Sequence, residues 1–128
     1  EYRKALEVLA MVLDIRKEAL GFDHPDTGAT YNNMAFAYSS LGDYDKALEF
    51  YAKDFAISEK VFGLEHPAIA INYCNVALVH QAQGNLHNAL ELLEKALAIR
   101  VETLGEGHPD TVATAYHIAS VYDELDIQ

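Results

Sequence analysis

The dipeptide His-Pro occurs three times, at His24-Pro25, His66-Pro67 and His108-Pro109, each 42 residues after the one before. Other positions keep that offset. Ala5-Leu6-Glu7 returns as Ala47-Leu48-Glu49 and Ala89-Leu90-Glu91, Gly21 as Gly63 and Gly105, Ile15 as Ile57 and Ile99, and Ala35 as Ala77 and Ala119. Self-similarity at one fixed period of this size describes a solenoid of stacked supersecondary units. No single unit buries its apolar face alone, so stability comes from each unit together with its neighbours.

Each period reads as two helices. The first is expected over 25–41, 67–83 and 109–125, with Pro25, Pro67 and Pro109 in the opening turn, where a missing N–H costs nothing. Gly42 and Gly84 follow the last turn as left-handed caps. The second is expected over 43–62 and 85–104, with Asp43 and Asn85 as N-caps and Gly63 and Gly105 closing. Residues 2–20 are a further copy of this second helix. The order predicts one array of six helices: a second helix in 1–24, full repeats in 25–66 and 67–108, and a first helix in 109–128. The pattern starts abruptly inside a helix, as expected for part of a longer protein.

Composition narrows the function. The formal net charge is −11, with no Lys/Arg cluster. Such a surface repels nucleic acid phosphates and anionic lipids, so neither is expected as a partner. No apolar run approaches the roughly 18 residues of a membrane span. Cys74 is the only cysteine, which excludes an internal disulfide and is compatible with a reducing, cytoplasmic compartment.

The residues Met34-Ala35, Tyr38, Gly42, Tyr44, Ala47-Leu48 and Tyr51 resemble the tetratricopeptide repeat. The 42-residue period is longer than the usual ~34. Together with the Gly21–Thr27 and Gly105–Thr111 links and Tyr31–Ala35, it is similar to the kinesin light chain class of that repeat. The resemblance implies an all-α solenoid of antiparallel helices in a right-handed superhelix, whose first helices line a concave peptide-binding face. Carried over by position, the candidates are Asn32, Asn33, Phe36 and Ser39 in the first copy. Ile71, Cys74, Asn75, Leu78 and Gln81 follow in the second, and Tyr116 and Ser120 in the third. Asn offers a donor and an acceptor to a peptide backbone, and Phe36, Leu78 and Tyr116 offer an apolar floor. The alternative for each is ordinary packing between helices. Tyr38, Tyr44, Tyr51 and Tyr73 are expected in the core.

None of the candidates is basic, so a neutral, apolar or basic protein or peptide suits the face better than an acidic one. Asp54 stands where Ala96 stands in the next copy. The cost of burying an unpaired carboxylate predicts a solvent-facing rim position, with a local polar site as the alternative.

The three His-Pro histidines occupy equivalent links. Helices packed about 10 Å apart keep them from sharing one metal ion, whose ligands must lie within ~2.1 Å of it. Hydrogen bonding to the link or a helix end is the expected role. No metal, cofactor or catalytic constellation is read: Cys74 has no patterned base beside it, and the glycines stand singly at helix ends. The function expected is a protein-interaction scaffold. A structural spacer, self-association through open end helices, and regulation of a fused effector are the alternatives.

Overall fold

The computed structural model describes residues 1–127, with side chains through Asp126. Among them are six helices and no strand: α1 (Tyr2–Leu20), α2 (Pro25–Ser40), α3 (Tyr44–Phe62), α4 (Pro67–Ala82), α5 (Leu86–Leu104) and α6 (Pro109–Ile127). No helix among the described residues is long and apolar enough to cross a membrane.

The caps explain these boundaries. His24, His66 and His108 are the residues before the first helices, and in each the ring Nδ1 accepts from the backbone N–H two residues on, at 3.0–3.1 Å. An imidazole nitrogen here does what Ser or Asp oxygen does at most N-termini. The accepting nitrogen carries no proton, so the ring N–H is at Nε2. Asp43 caps α3 by accepting from the N–H of Lys46.

At the other ends Gly42 and Gly84 take φ +83°. The N–H of Gly42 then bonds the carbonyl of Ser39, and that of Asp43 bonds the carbonyl of Tyr38. The same pair of bonds recurs at Gly84 and Asn85, with Gln81 and His80. This double closure stops the helix and turns the chain within three residues.

The described residues form two compact units, one over Glu1–Gly63 and one from Leu64 onward. The first holds α1, α2 and α3, and the second holds α4, α5 and α6. The expected segments 1–24 and 25–66 therefore fall almost wholly into one unit.

In the first unit Leu13, Tyr31, Met34 and Ile57 form a buried cluster, flanked by Leu6, Leu9 and Phe50. Phe50 stacks on Tyr38 with ring centroids 5.3 Å apart, and Lys53 lies over the rings of Phe50 and Tyr31. In the second unit Ala77, Leu86, Ala89, Leu90, Leu93 and Val121 form the corresponding core. Among the tyrosines expected inside, Tyr51 is buried, while Tyr38, Tyr44 and Tyr73 are half-buried.

Candidate functional site

The first helices α2, α4 and α6 each have a matching row of side chains turned to solvent, and α6 exposes a second face with Val112, Tyr116 and Tyr122. On α2 the row is Ala29, Asn33, Phe36 and Ser40, all exposed. On α4 it is Ile71, Asn75, Leu78 and Ala82, with Asn75 half-buried and the others exposed. On α6 it is Ala113, His117, Ser120 and Glu124, with His117 and Glu124 half-buried. Three- and four-residue steps keep each row on one helical face. Phe36 is 58% exposed, Ile71 50% and Leu78 53%. Phe36 meets the ring of Tyr2 edge-on with centroids 6.3 Å apart, and the rest of these three side chains is apolar surface open to a partner.

The other predicted positions lie on the flank of this row, turned toward neighbouring helices. Asn32, Ser39, Cys74 and Gln81 are half-buried. Asn32 Nδ2 donates to Asp54 Oδ2 on α3 at 3.4 Å. Cys74 packs against the core cluster of the second unit. Burial pushes its thiol pKa up, against the opposing pull of Arg100 and of a hydrogen bond with Thr114. Gln81 bridges α4 to α6. Its amide nitrogen donates to Glu124, and its oxygen accepts from His117 Nε2 at 2.8 Å. Burial holds His117 below the ordinary histidine pKa, and the Glu124 carboxylate opposes that shift. Tyr116 is 74% exposed and stands apart from the solvent row, lining an open groove beside α5 with Leu97 and Val101.

Asp54 does not sit on a solvent rim. It is half-buried against α2, directly beside Gly28, where a Cβ would come within 2.8 Å of its Oδ1. The glycine leaves room for the carboxylate, and Asn32 supplies a donor to it. The burial cost that predicted the rim is thereby met by a partner. In the next copy the two positions are Ala70 and Ala96, a pairing that needs neither the space nor the donor. Asp54 also adds to burial in raising the pKa of Tyr51.

A second arrangement went unread in the sequence. Arg16 Nη1 donates to Thr30 Oγ1 at 2.7 Å and to the carbonyl of Asp26 at 2.8 Å, tying α1 to α2. Arg100 repeats this on α6, reaching Thr114 Oγ1 at 2.7 Å and the carbonyl of Asp110 at 3.3 Å. The middle copy has Ser58, Ala68 and Asn72 at these positions. The signal was present as an Arg, Asp and Thr set repeating every second period.

Among the described residues no three His, Cys, Asp or Glu side chains gather where a metal ion could be held. The chemistry on the exposed rows is that of contact: apolar side chains, amides and hydroxyls, with carboxylates nearby and no Lys or Arg within them.

The tetratricopeptide repeat family model matches residues 1–60, 33–100 and 68–127. A solved structure of Podosopora anserina kinesin light chain nearly identical TPR-like repeats aligns with TM-score 0.82 and 32% identity, over 94% of this chain and 57% of that one. A singly substituted form of the same repeats aligns at 0.81 and 31%, over the same shares. BtubC (BKLC) from P. vanneervenii aligns at 0.86 and 23%, over 95% of this chain and 49% of that one. The chain thus spans about half the length of the solved structures it matches. Comparison with curated proteins returns no match. With its 42-residue period, its repeated caps and these matches, the chain belongs to the tetratricopeptide repeat family, in the kinesin light chain-like class, and its fold is an all-α repeat solenoid.

Proposed function

We propose that the chain is a protein-binding module that receives a peptide or partner helix on the exposed faces of its first helices. Tetratricopeptide repeats generally serve as protein-interaction scaffolds, and the reading rests on that and on one observation. Phe36 and Leu78 stay open to solvent at corresponding positions of regular rows, as does Ile71, whose counterpart on α2 is Ala29, beside the amides of Asn33 and Asn75. Apolar anchors beside groups that donate and accept hydrogen bonds suit a segment with both side chains and backbone to offer. Asn32, Ser39, Cys74 and Gln81 form the half-buried flank, Ser120 extends the contact on α6, and Tyr116, apart from the row, is left outside it.

The ligand is neutral, apolar or basic. The rows hold no cation, Glu124 lies at the α6 row, and the chain bears a net charge of −11. Electrostatic complementarity at such a surface selects against acidic peptides. We read no catalytic step, cofactor or metal requirement, and a reducing cytoplasmic setting.

Selection from a randomised peptide library tests this, with a Phe36→Ala, Leu78→Ala double variant as the control. Both side chains are more than half exposed, so their removal spares the core. Enrichment of an apolar or basic motif that the double variant fails to retain supports the reading. No enrichment over the control overturns it and favours a spacer role.

A further inference from the structure

Gln81 joins α4 to α6 through two hydrogen bonds, and the chemistry of one end fixes the roles along the whole set. A carboxylate offers only acceptors, so the Gln81 amide nitrogen donates to Glu124. That leaves the amide oxygen for His117, whose Nε2 donates to it at 2.8 Å. His117 and Glu124 belong to the α6 row and Gln81 to the flank of the α4 row, and all three are half-buried. On α4, Leu78 lies one helical turn before Gln81, and on α6, Ser120 stands between His117 and Glu124. The Glu124 carboxylate is thus held in one place beside an apolar anchor of the candidate face.

Nothing in the second unit balances that charge. From Leu64 onward the chain has nine Asp and Glu residues and only two cations, Lys95 and Arg100. Lys95 pairs with Glu91 and lies over the ring of Tyr73. Arg100 is spent on Thr114 and the Asp110 carbonyl. Among the described residues neither pairs with Glu124. The α4 segment has no Lys, Arg, Asp or Glu, and α6 has no Lys or Arg. The counterparts of Glu124 on the other first helices are Ala82 and Ser40, so the charge is particular to this place in the rows. A carboxylate with one bond to an amide keeps acceptor capacity on its remaining lone pairs. Half-buried, it gains more from an added cation than a fully solvated one does.

We infer that Glu124, oriented by Gln81, receives a basic side chain of the bound peptide, arginine ahead of lysine. This placement rests on the peptide-binding reading and fixes where on the face a basic residue goes. A guanidinium is more weakly hydrated than an ammonium, and its planar set of donors suits a half-buried carboxylate. A peptide that seats an apolar residue against Leu78 then brings a neighbouring basic residue to Glu124, between α4 and α6.

The randomised peptide library tests this when it is selected in parallel on the parent chain, on Glu124→Gln and on the Phe36→Ala, Leu78→Ala double variant. Glutamine at 124 removes the charge and keeps an acceptor for the Gln81 amide, and circular dichroism checks that the helices remain. An arginine or lysine enriched at one position on the parent is expected to lose its enrichment on Glu124→Gln, while the apolar positions of the motif persist there. The selected peptide, and the same peptide with its basic residue changed to glutamine, are then titrated calorimetrically against the parent and Glu124→Gln. The parent is expected to prefer the basic form by about tenfold, between an exposed and a fully desolvated charge pair, and Glu124→Gln to bind both forms alike. An apolar motif with no basic position, or a basic preference that Glu124→Gln preserves, overturns the placement and leaves the apolar contact standing. No enrichment over the double variant overturns both.

Discussion

Replacing Arg100 by Met removes a guanidinium that ties α5 to α6 while keeping most of the side-chain stem. The bond to Thr114 Oγ1, at 2.7 Å, is a hydrogen bond from a charged donor to a buried acceptor, and such bonds contribute about 1.5–3 kcal/mol. The longer contact to the Asp110 carbonyl, at 3.3 Å, adds little. Two effects reduce the total. Thr114 keeps its own bond to the Asp110 carbonyl at 2.7 Å, so no buried hydroxyl is orphaned. A cation beside the N-terminal turn of α6 is also disfavoured by about 0.3–1 kcal/mol. The expected loss is therefore about 1.5 kcal/mol, read from urea unfolding followed by far-ultraviolet circular dichroism. The double variant with Thr114→Val is expected to lose less than the two single changes together, because removing both partners leaves nothing unpaired. An Arg100→Met stability within about 0.5 kcal/mol of the parent, the range of ordinary surface changes, would refute the assignment of a structural clasp. Strict additivity in the double variant would do the same.

Three further outcomes concern the second unit. Leu93 is fully buried among Ala77, Leu86, Ala89, Leu90 and Val121, so Leu93→Ala is expected to cost about 3 kcal/mol in the same unfolding assay; a loss under about 1 kcal/mol would contradict that packing. Because the His117 pKa is lowered in the fold, the unfolded chain binds the proton first as pH falls. The stability this group allows is complete above its ordinary value of 6.5 and declines as pH drops below that toward the lowered value. The difference in stability between the parent and His117→Gln should change across that window and be flat above it; a difference independent of pH would count against the buried, neutral imidazole. Cys74, with its thiol pKa raised by burial, should alkylate with iodoacetamide more slowly in the folded chain than in denaturant, since only the thiolate reacts; equal rates would place it in the open.

How much of this could be read beforehand depends on whether a feature is shared by the copies. The helix boundaries follow from local caps that recur every 42 residues, and Pro25, Gly42, Asp43 and their counterparts place them within a residue or two. The histidines were expected at links or helix ends, and the structure puts each Nδ1 on an N-terminal amide. What stayed hidden are pairwise contacts in which one copy departs from the others. The inward turn of Asp54 depends on the absence of a side chain at Gly28 on a different helix. A repeat register ranks both as local exceptions and does not connect them. The Arg16 and Arg100 clasps skip the middle copy, so a search at one period passes over them. At the candidate face, three-to-four spacing placed Asn32 and Phe36 together, yet one turns toward α3 and the other toward solvent. A helix face is about as wide as that difference, and only the position of the neighbouring helix decides it.

The most direct test of the central claim is an amide chemical-shift titration of the labelled chain with the best apolar or basic peptide from the library. The account predicts that the largest changes cluster on α2 and α4 around Asn33, Phe36, Ile71, Asn75 and Leu78, saturate with peptide, and vanish in the Phe36→Ala, Leu78→Ala variant. Changes confined to α3 and α5, or unaltered in that variant, would contradict it.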